Sequence, residues 1–262
     1  MKFCILIATH KKYEMPLDKL YIPMHAGSEG KEDLGYKKDN EGDNISKKNP
    51  FFCELTVLYY AWKNMKDYDY IGLCHYRRYF SLNKRKGKTI KERINSTLKY
   101  DELKELLKDN DIILPKKRNY YIENLYDHYI HTMHREPLDE TRKIIEKMYP
   151  EYLEEFDKLK IRKTAHMFNM FIMKKDILDD YSKWLFDILF ELEKRMKNNK
   201  YDTFHSRFYG RVSELLLDVY INTNKLKYKE INFIDIENIN WYKKGTGFLK
   251  AKFFGKKYDK SF

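Results

Sequence analysis

Tyr70-Ile71-Gly72-Leu73-Cys74 is an apolar run that passes directly into His75-Tyr76-Arg77-Arg78-Tyr79-Phe80. A short run with no polar interruption reads as a strand buried on both faces, the signature of a sheet centre rather than of a half-exposed edge. In open α/β sheets, ligands occupy the crevice beyond the carboxyl ends of the strands. His75, Arg77 and Arg78 therefore stand where a ligand would sit, and extended alternation puts His75 and Arg77 on one face and Tyr76 and Arg78 on the other. Planar guanidiniums bind phosphate bidentately, so the expected ligand is anionic and phosphorylated. The competing interpretation is a surface loop whose arginines pair with neighbouring carboxylates.

Other segments repeat this design. Lys2 to Thr9 reads as a first buried strand ending in His10-Lys11, and Leu20 to Met24 as a second ending in His25-Ala26-Gly27. Residues 27 to 48 are polar, Gly-containing and aperiodic, a loop long enough to be functional or disordered. Apolar positions 51, 55, 58, 59 and 62 mark one helix over Phe51 to Asn64, which feeds the 70–74 strand in a βαβ arrangement. Residues 81 to 100 read as a polar flap, Asp101 to Asp109 as a helix and Asp111 to Pro115 as a strand. The second half is more helical, over Leu138–Met148, Glu151–Leu159, Asp176–Asn198 and Arg211–Tyr220. Strands are expected at Met167–Met173, with Asn169 set inside it, and at Ile231–Ile236. Alternating strands and helices give an α/β class, with a mostly parallel, Rossmann-like sheet flanked by helices.

Charge and length narrow the functions. A net charge of +12 over 262 residues attracts nucleotides, nucleic acid or anionic lipid. No stretch approaches the ~20 apolar residues that span a bilayer, and the start does not resemble a signal peptide, because His10-Lys11-Lys12 follows the first apolar run at once. Three cysteines in apolar settings, Cys4, Cys53 and Cys74, suit reduced thiols in a cytoplasmic protein. One domain is expected over 1–240, followed by a basic, aromatic tail over 241–262. That tail could lie on the anionic inner membrane face or pack on the domain.

Several chemistries are disfavoured. The chain has no Gly-x-Gly-x-x-Gly or Walker loop and no Gly-x-Ser-x-Gly elbow. His128, His131 and His134 are spaced for one helical face, but no further ligand type lies nearby, so zinc is not favoured.

Asp43-Asn44-Ile45-Ser46, Asn49-Pro50, Cys53-Glu54-Leu55-Thr56, Trp62-Lys63-Asn64, Gly72 to Phe80, Phe168 to Lys175 and Arg211 to Leu216 together resemble the domain of unknown function 4422 family over roughly residues 2 to 225. The resemblance implies a GT-A-like glycosyltransferase (hexosyltransferase) of capsular and exopolysaccharide synthesis. It would take a nucleotide-sugar donor, with UDP-hexose or UDP-galactofuranose as options, and a lipid-linked glycan acceptor. Such folds commonly hold a divalent cation with Asp-x-Asp after a central strand, where this chain carries His75-Tyr76-Arg77-Arg78. The expectation is therefore no cofactor, Mn²⁺ or Mg²⁺ being the disfavoured option, with Arg77 or Arg78 stabilising the departing diphosphate. Asp67-Tyr68-Asp69 precedes the strand and would lie at the opposite sheet edge.

Donor contacts are expected from Thr9, His10, Lys11, His25, Gly27, Asp43, Asn44, Asn49 and Tyr76, and acceptor contacts from His134 and Asn169. Glu54 could bind ligand or cap a helix. Glu214 is the candidate base for the acceptor hydroxyl, its alternative being a structural pair with Arg207 or Arg211. The rival reading from another class is a module for RNA or single-stranded nucleic acid, with arginines clamping phosphates and aromatics stacking bases. The buried strand and its crevice favour the enzyme, with no nucleic-acid partner.

Overall fold

Phe3–Thr9 forms β1, and every one of its residues is buried, as its apolar run requires. In the computed structural model, which describes residues 1–83 and 87–237, β1 pairs in parallel with β2 (Tyr21–His25) on one side and with β4 (Tyr70–His75) on the other. A two-residue strand, β3 (Lys37–Lys38), extends the sheet beyond β2. Helices α1 (Asn49–Phe52) and α2 (Leu55–Asn64) lead into β4. The single helix expected over 51–64 is broken at Cys53, which adopts φ 53° and ψ −132°.

The other side of β4 departs from the expected parallel sheet. Its first four residues pair antiparallel with β9 (Phe171–Lys174), and β9 pairs antiparallel with β6 (Ile112–Pro115). Its last residue, His75, pairs with Arg78, the first residue of β5 (Arg78–Ser81). β5 runs antiparallel to β10 (Lys229–Asp235), which is parallel to β6. The sheet is therefore mixed, and a parallel one was expected because an apolar strand reads the same whichever way it runs. Tyr76 and Arg77 form the turn between β4 and β5, so the extended alternation expected through Arg78 does not occur.

Gly72 is required at the centre. A Cβ there would come within 2.9 Å of Cγ1 of both Ile5 and Ile172. The expected 167–173 strand begins only at Phe171, because Phe168 and Asn169 are left-handed, at φ 76° and 50°. The segment expected as a polar flap holds α3 (Ile90–Asn95), whose Thr89 and Glu92 form a capping box. α4 (Tyr100–Leu106) follows.

The chain divides into two compact units. The first comprises residues 1–116, 166–183 and 227–237 and contains the large sheet. The described part of the second, residues 117–165 and 184–226, holds the ribbon of β7 (Arg118–Asn119) with β8 (Thr164–Ala165). Its helices are α5 (Leu125–Thr132), α6 (Glu136–Met148), α7 (Leu153–Asp157), the later part of α8 (Lys175–Met196) and α9 (Phe208–Thr223). Tyr152, Trp184 and Tyr220 form its aromatic centre, with Tyr152 and Trp184 ring centroids 4.7 Å apart. Among the described residues no helix is long and apolar enough to cross a membrane. The basic tail expected over 241–262 lies outside the described residues.

Candidate functional site

The parallel register brings three strand ends to one level in the first unit. Thr9 is opposite His25 and Ala8 is opposite His75. The backbone N–H of Ala26 then donates to Thr9 O and that of Tyr76 to Ala8 O, which carries each chain out of the sheet. Thr9 Oγ1 closes the first exit by donating to the Lys11 carbonyl at 2.7 Å.

Tyr76 is buried and gathers the neighbouring groups around its ring. His10 and Tyr13 meet it edge-on at centroid distances of 5.5 and 5.0 Å, and His75 lies at 4.3 Å. Lys11 Nζ stands 5.2 Å and Arg77 Cζ 5.5 Å from the same ring. His75 Nδ1 accepts the Arg77 backbone N–H at 3.4 Å. Glu237 completes the group, accepting the Tyr13 hydroxyl at 2.8 Å while standing 3.9 Å from Arg77 Nη1. Burial, then this bond to Glu237, pushes the Tyr13 phenol up to about 12. Arg77 Nε is buried with no hydrogen-bond acceptor.

The two arginines divide in role. Arg78 Nε donates to Asp235 at 2.8 Å, and its guanidinium lies 4.0 Å from the Phe168 ring centroid. Arg93 Nη1 donates to the carbonyls of Asp235 and Ile236, fixing the segment that carries the acid.

Beside these strand ends, the 26–48 loop is built on Asp39, which is fully buried. Its Oδ2 accepts from Gly27 N and Thr56 Oγ1, both at 2.6 Å. Its Oδ1 accepts from Ser28 N, Ser28 Oγ and Ser46 Oγ at 3.0, 3.1 and 2.5 Å. Gly27 has φ 64°, and a Cβ on it would overlap Asn49. Asn49 Nδ2 donates to the Cys53 carbonyl, Asn44 Nδ2 to the Asn40 and Gly42 carbonyls, and Asp43 accepts the Tyr59 hydroxyl. These three side chains thus hold the loop together. His25 is 1% exposed, with Nδ1 lacking a partner. Burial, then the charge of Lys31, lowers its pKa.

Asn169 donates to Glu54 Oε1 at 2.6 Å, joining the left-handed turn before β9 to the residue before α2. Asp69 accepts the Lys2 N–H at the amino end of β4, away from the His75 end.

The remaining candidates lie in the second unit. Glu214 is buried and accepts from Arg211 Nη1 at 3.2 Å. His134 stacks on Tyr201 at 4.4 Å and meets His205 edge-on at 4.7 Å. His128 and His131 share a carboxylate, their Nδ1 atoms lying 2.7 and 2.9 Å from the two oxygens of Glu123. Burial pushes Glu123 upward, but its bonds to His128 and His131 carry it below the usual carboxylate value. Among the described residues no three His, Cys, Asp or Glu side chains are grouped to hold a metal ion.

Sequence reasoning missed Tyr13, Asp39, Glu123 and Glu237. Tyr13 was the detectable one, lying just past the first strand end beside Lys11. The carboxylates stand in polar segments where nothing marks one acid from the next.

A solved structure described as a WbbM bifunctional glycosyltransferase in its apo state is similar to this chain, at 32% identity and a TM-score of 0.83. The similarity covers 91% of this chain and 46% of that one, so the chain spans less than half of that protein. A search of curated proteins gave no match. The family described as Domain of unknown function (DUF4422) matches residues 4–225. With its mixed α/β fold like that of a glycosyltransferase and a family match over most of its length, the chain belongs to the DUF4422 family.

Proposed function

We propose that this chain is a glycosyltransferase of GT-A type that moves a hexosyl group, pyranose or furanose, from a nucleoside-diphosphate donor to a glycan acceptor. The observation that carries the reading is the Tyr76 cluster, where Lys11 and Arg77 stand at the strand ends and Arg77 Nε is buried without an acceptor. A buried guanidinium N–H with no partner is costly, and the Arg77 side chain, 32% exposed, can turn to pair with a phosphate oxygen. The family membership and the likeness to a bifunctional glycosyltransferase support the reaction class.

In the proposed step, the acceptor hydroxyl oxygen bonds to the anomeric carbon while the bond from that carbon to the diphosphate oxygen breaks. The electron pair leaves on the diphosphate, where Arg77 and Lys11 offset the charge without a metal ion. Glu214 is proposed to take the acceptor proton, with His10 and Tyr13 on the donor and His134 on the acceptor. A UDP-linked sugar and a lipid-linked acceptor of surface-polysaccharide synthesis are the proposed substrates.

A calorimetric screen of UDP-, GDP-, CMP- and dTDP-sugars against the full chain, with and without Mn²⁺, tests the proposal. Binding of one donor without metal, lost in Arg77→Ala, is expected. Affinity that depends wholly on Mn²⁺ would overturn the metal-independent site, and unchanged transfer in Glu214→Gln would remove Glu214 as the base.

A further inference from the structure

The second unit exposes three large apolar side chains on two neighbouring loops. Tyr121 is 75%, Ile122 54% and Ile161 74% exposed. The loops are joined by hydrogen bonds from Tyr120 N to Lys163 O, from Leu125 N to Arg162 O and from Lys163 Nζ to Tyr121 O. Their tips are held in place: Asn119 Oδ1 accepts the Tyr121 N–H, and Tyr121 adopts φ 54°, a conformation unfavourable for a residue with a Cβ. Local geometry thus holds an aromatic and two aliphatic side chains outward, where each leaves apolar surface in water.

Cations crowd these tips, and several neighbouring carboxylates are already paired, Glu154 with Lys158 and Asp157 with Arg142. Glu123 is buried and engaged by His128 and His131, and Glu155 is engaged by Lys158 and Arg162. Lys160 and Lys163 are exposed and make no salt bridge among the described residues, and Arg118 stands 4.9 Å from the Tyr120 ring. Three side chains on two loop tips offer much less than the roughly 800 Å² per partner of a stable protein interface. Apolar tips flanked by exposed lysines that bond only to a carbonyl and a ring fit a surface that is apolar below and anionic above, with Tyr at the boundary and the lysines among headgroups.

We infer that the Tyr121, Ile122 and Ile161 tips, with Lys160 and Lys163, form a contact site for an anionic lipid bilayer. This goes beyond the transfer reaction and does not depend on which sugar moves, because the contact involves neither donor nor acceptor.

Co-sedimentation of the full chain with phosphatidylcholine vesicles, with and without roughly 30% phosphatidylglycerol, tests it. The chain is expected to partition onto the anionic vesicles. The triple variant Tyr121→Ser, Ile122→Ser, Ile161→Ser should lose about tenfold or more of that partitioning at an unchanged thermal midpoint. Lys160→Glu with Lys163→Glu should remove the preference for phosphatidylglycerol. Failure of the chain to bind anionic vesicles, or undiminished binding by the triple variant, overturns the inference. Donor calorimetry on the same variants reports separately on the proposed reaction.

Discussion

Arg78 Nε and Asp235 Oδ1 lie 2.8 Å apart, and both side chains are largely withdrawn from solvent. The pair fastens the first residue of β5 to the last of β10. Arg78→Ala leaves the Asp235 carboxylate without this partner and should cost about 3 kcal/mol of folding stability. Denaturant titration checks this, and a loss below about 1 kcal/mol would show the pair to be dispensable.

Arg77 should behave in the opposite way. Its nearest carboxylate, Glu237, is 3.9 Å away and its Nε has no acceptor, so truncation breaks little of the resting structure. Arg77→Ala is expected to leave the thermal midpoint nearly unchanged and to lower transfer about ten- to a hundredfold, the effect of one charge-assisted contact. Steady-state rates with the donor from the calorimetric screen decide the matter.

Asp39 offers the largest single destabilisation. Removing its carboxylate in Asp39→Ala strands two backbone N–H groups and three hydroxyls in a buried place. The expected cost is about 3 kcal/mol or more, a fall of roughly 6–12 °C in the melting midpoint, measured by calorimetry.

His25 sets a pH dependence. Its folded pKa lies below the reference 6.5, through burial first and then the charges of Lys31 and Lys38 set against Asp39 and Asp33. The unfolded chain therefore takes up the proton at a higher pH than the folded one. Stability is fully present above 6.5 and declines as pH falls towards the folded value. His128 is lowered too, by burial that outweighs Glu123, and adds in the same direction. Denaturant midpoints at about pH 7.5 and about pH 5.5 should differ less in His25→Asn than in the parent chain.

Gly72→Ala adds a methyl group 2.9 Å from Ile5 and Ile172 Cγ1 and 3.2 Å from the Phe171 carbonyl. Overpacking of this kind costs about 1–3 kcal/mol. Ile172→Ala, which removes the crowding Cγ1, should therefore cost less in the Gly72→Ala chain than in the parent chain.

β1, β2 and β4 could be read from the chain because each is an apolar run ending in a polar cluster, and burial on both faces demands that pattern. Strand direction could not be read, since β9 carries the same kind of residues as β4 and runs against it. Neither could the left-handed turns at Cys53 and Phe168-Asn169, which lack the glycine that usually announces one. At the candidate site, His10, Lys11, Tyr76 and Arg77 were visible because they follow strand ends directly, whereas Tyr13 stands further along the chain. Asp39 and Glu237 were not, because their partners come from separate segments of the chain.

The split pairing of β4 also bears on how the chain behaves at high concentration. β4, β9, β6, β10 and β5 form a closed hydrogen-bonded circuit, so none of them offers a bare row of amides and carbonyls to another molecule. Among the described residues the large sheet ends only at β3, two lysines long. A docking strand would find there a short rung and two like charges, which is how soluble β-sheets discourage edge-to-edge polymerisation.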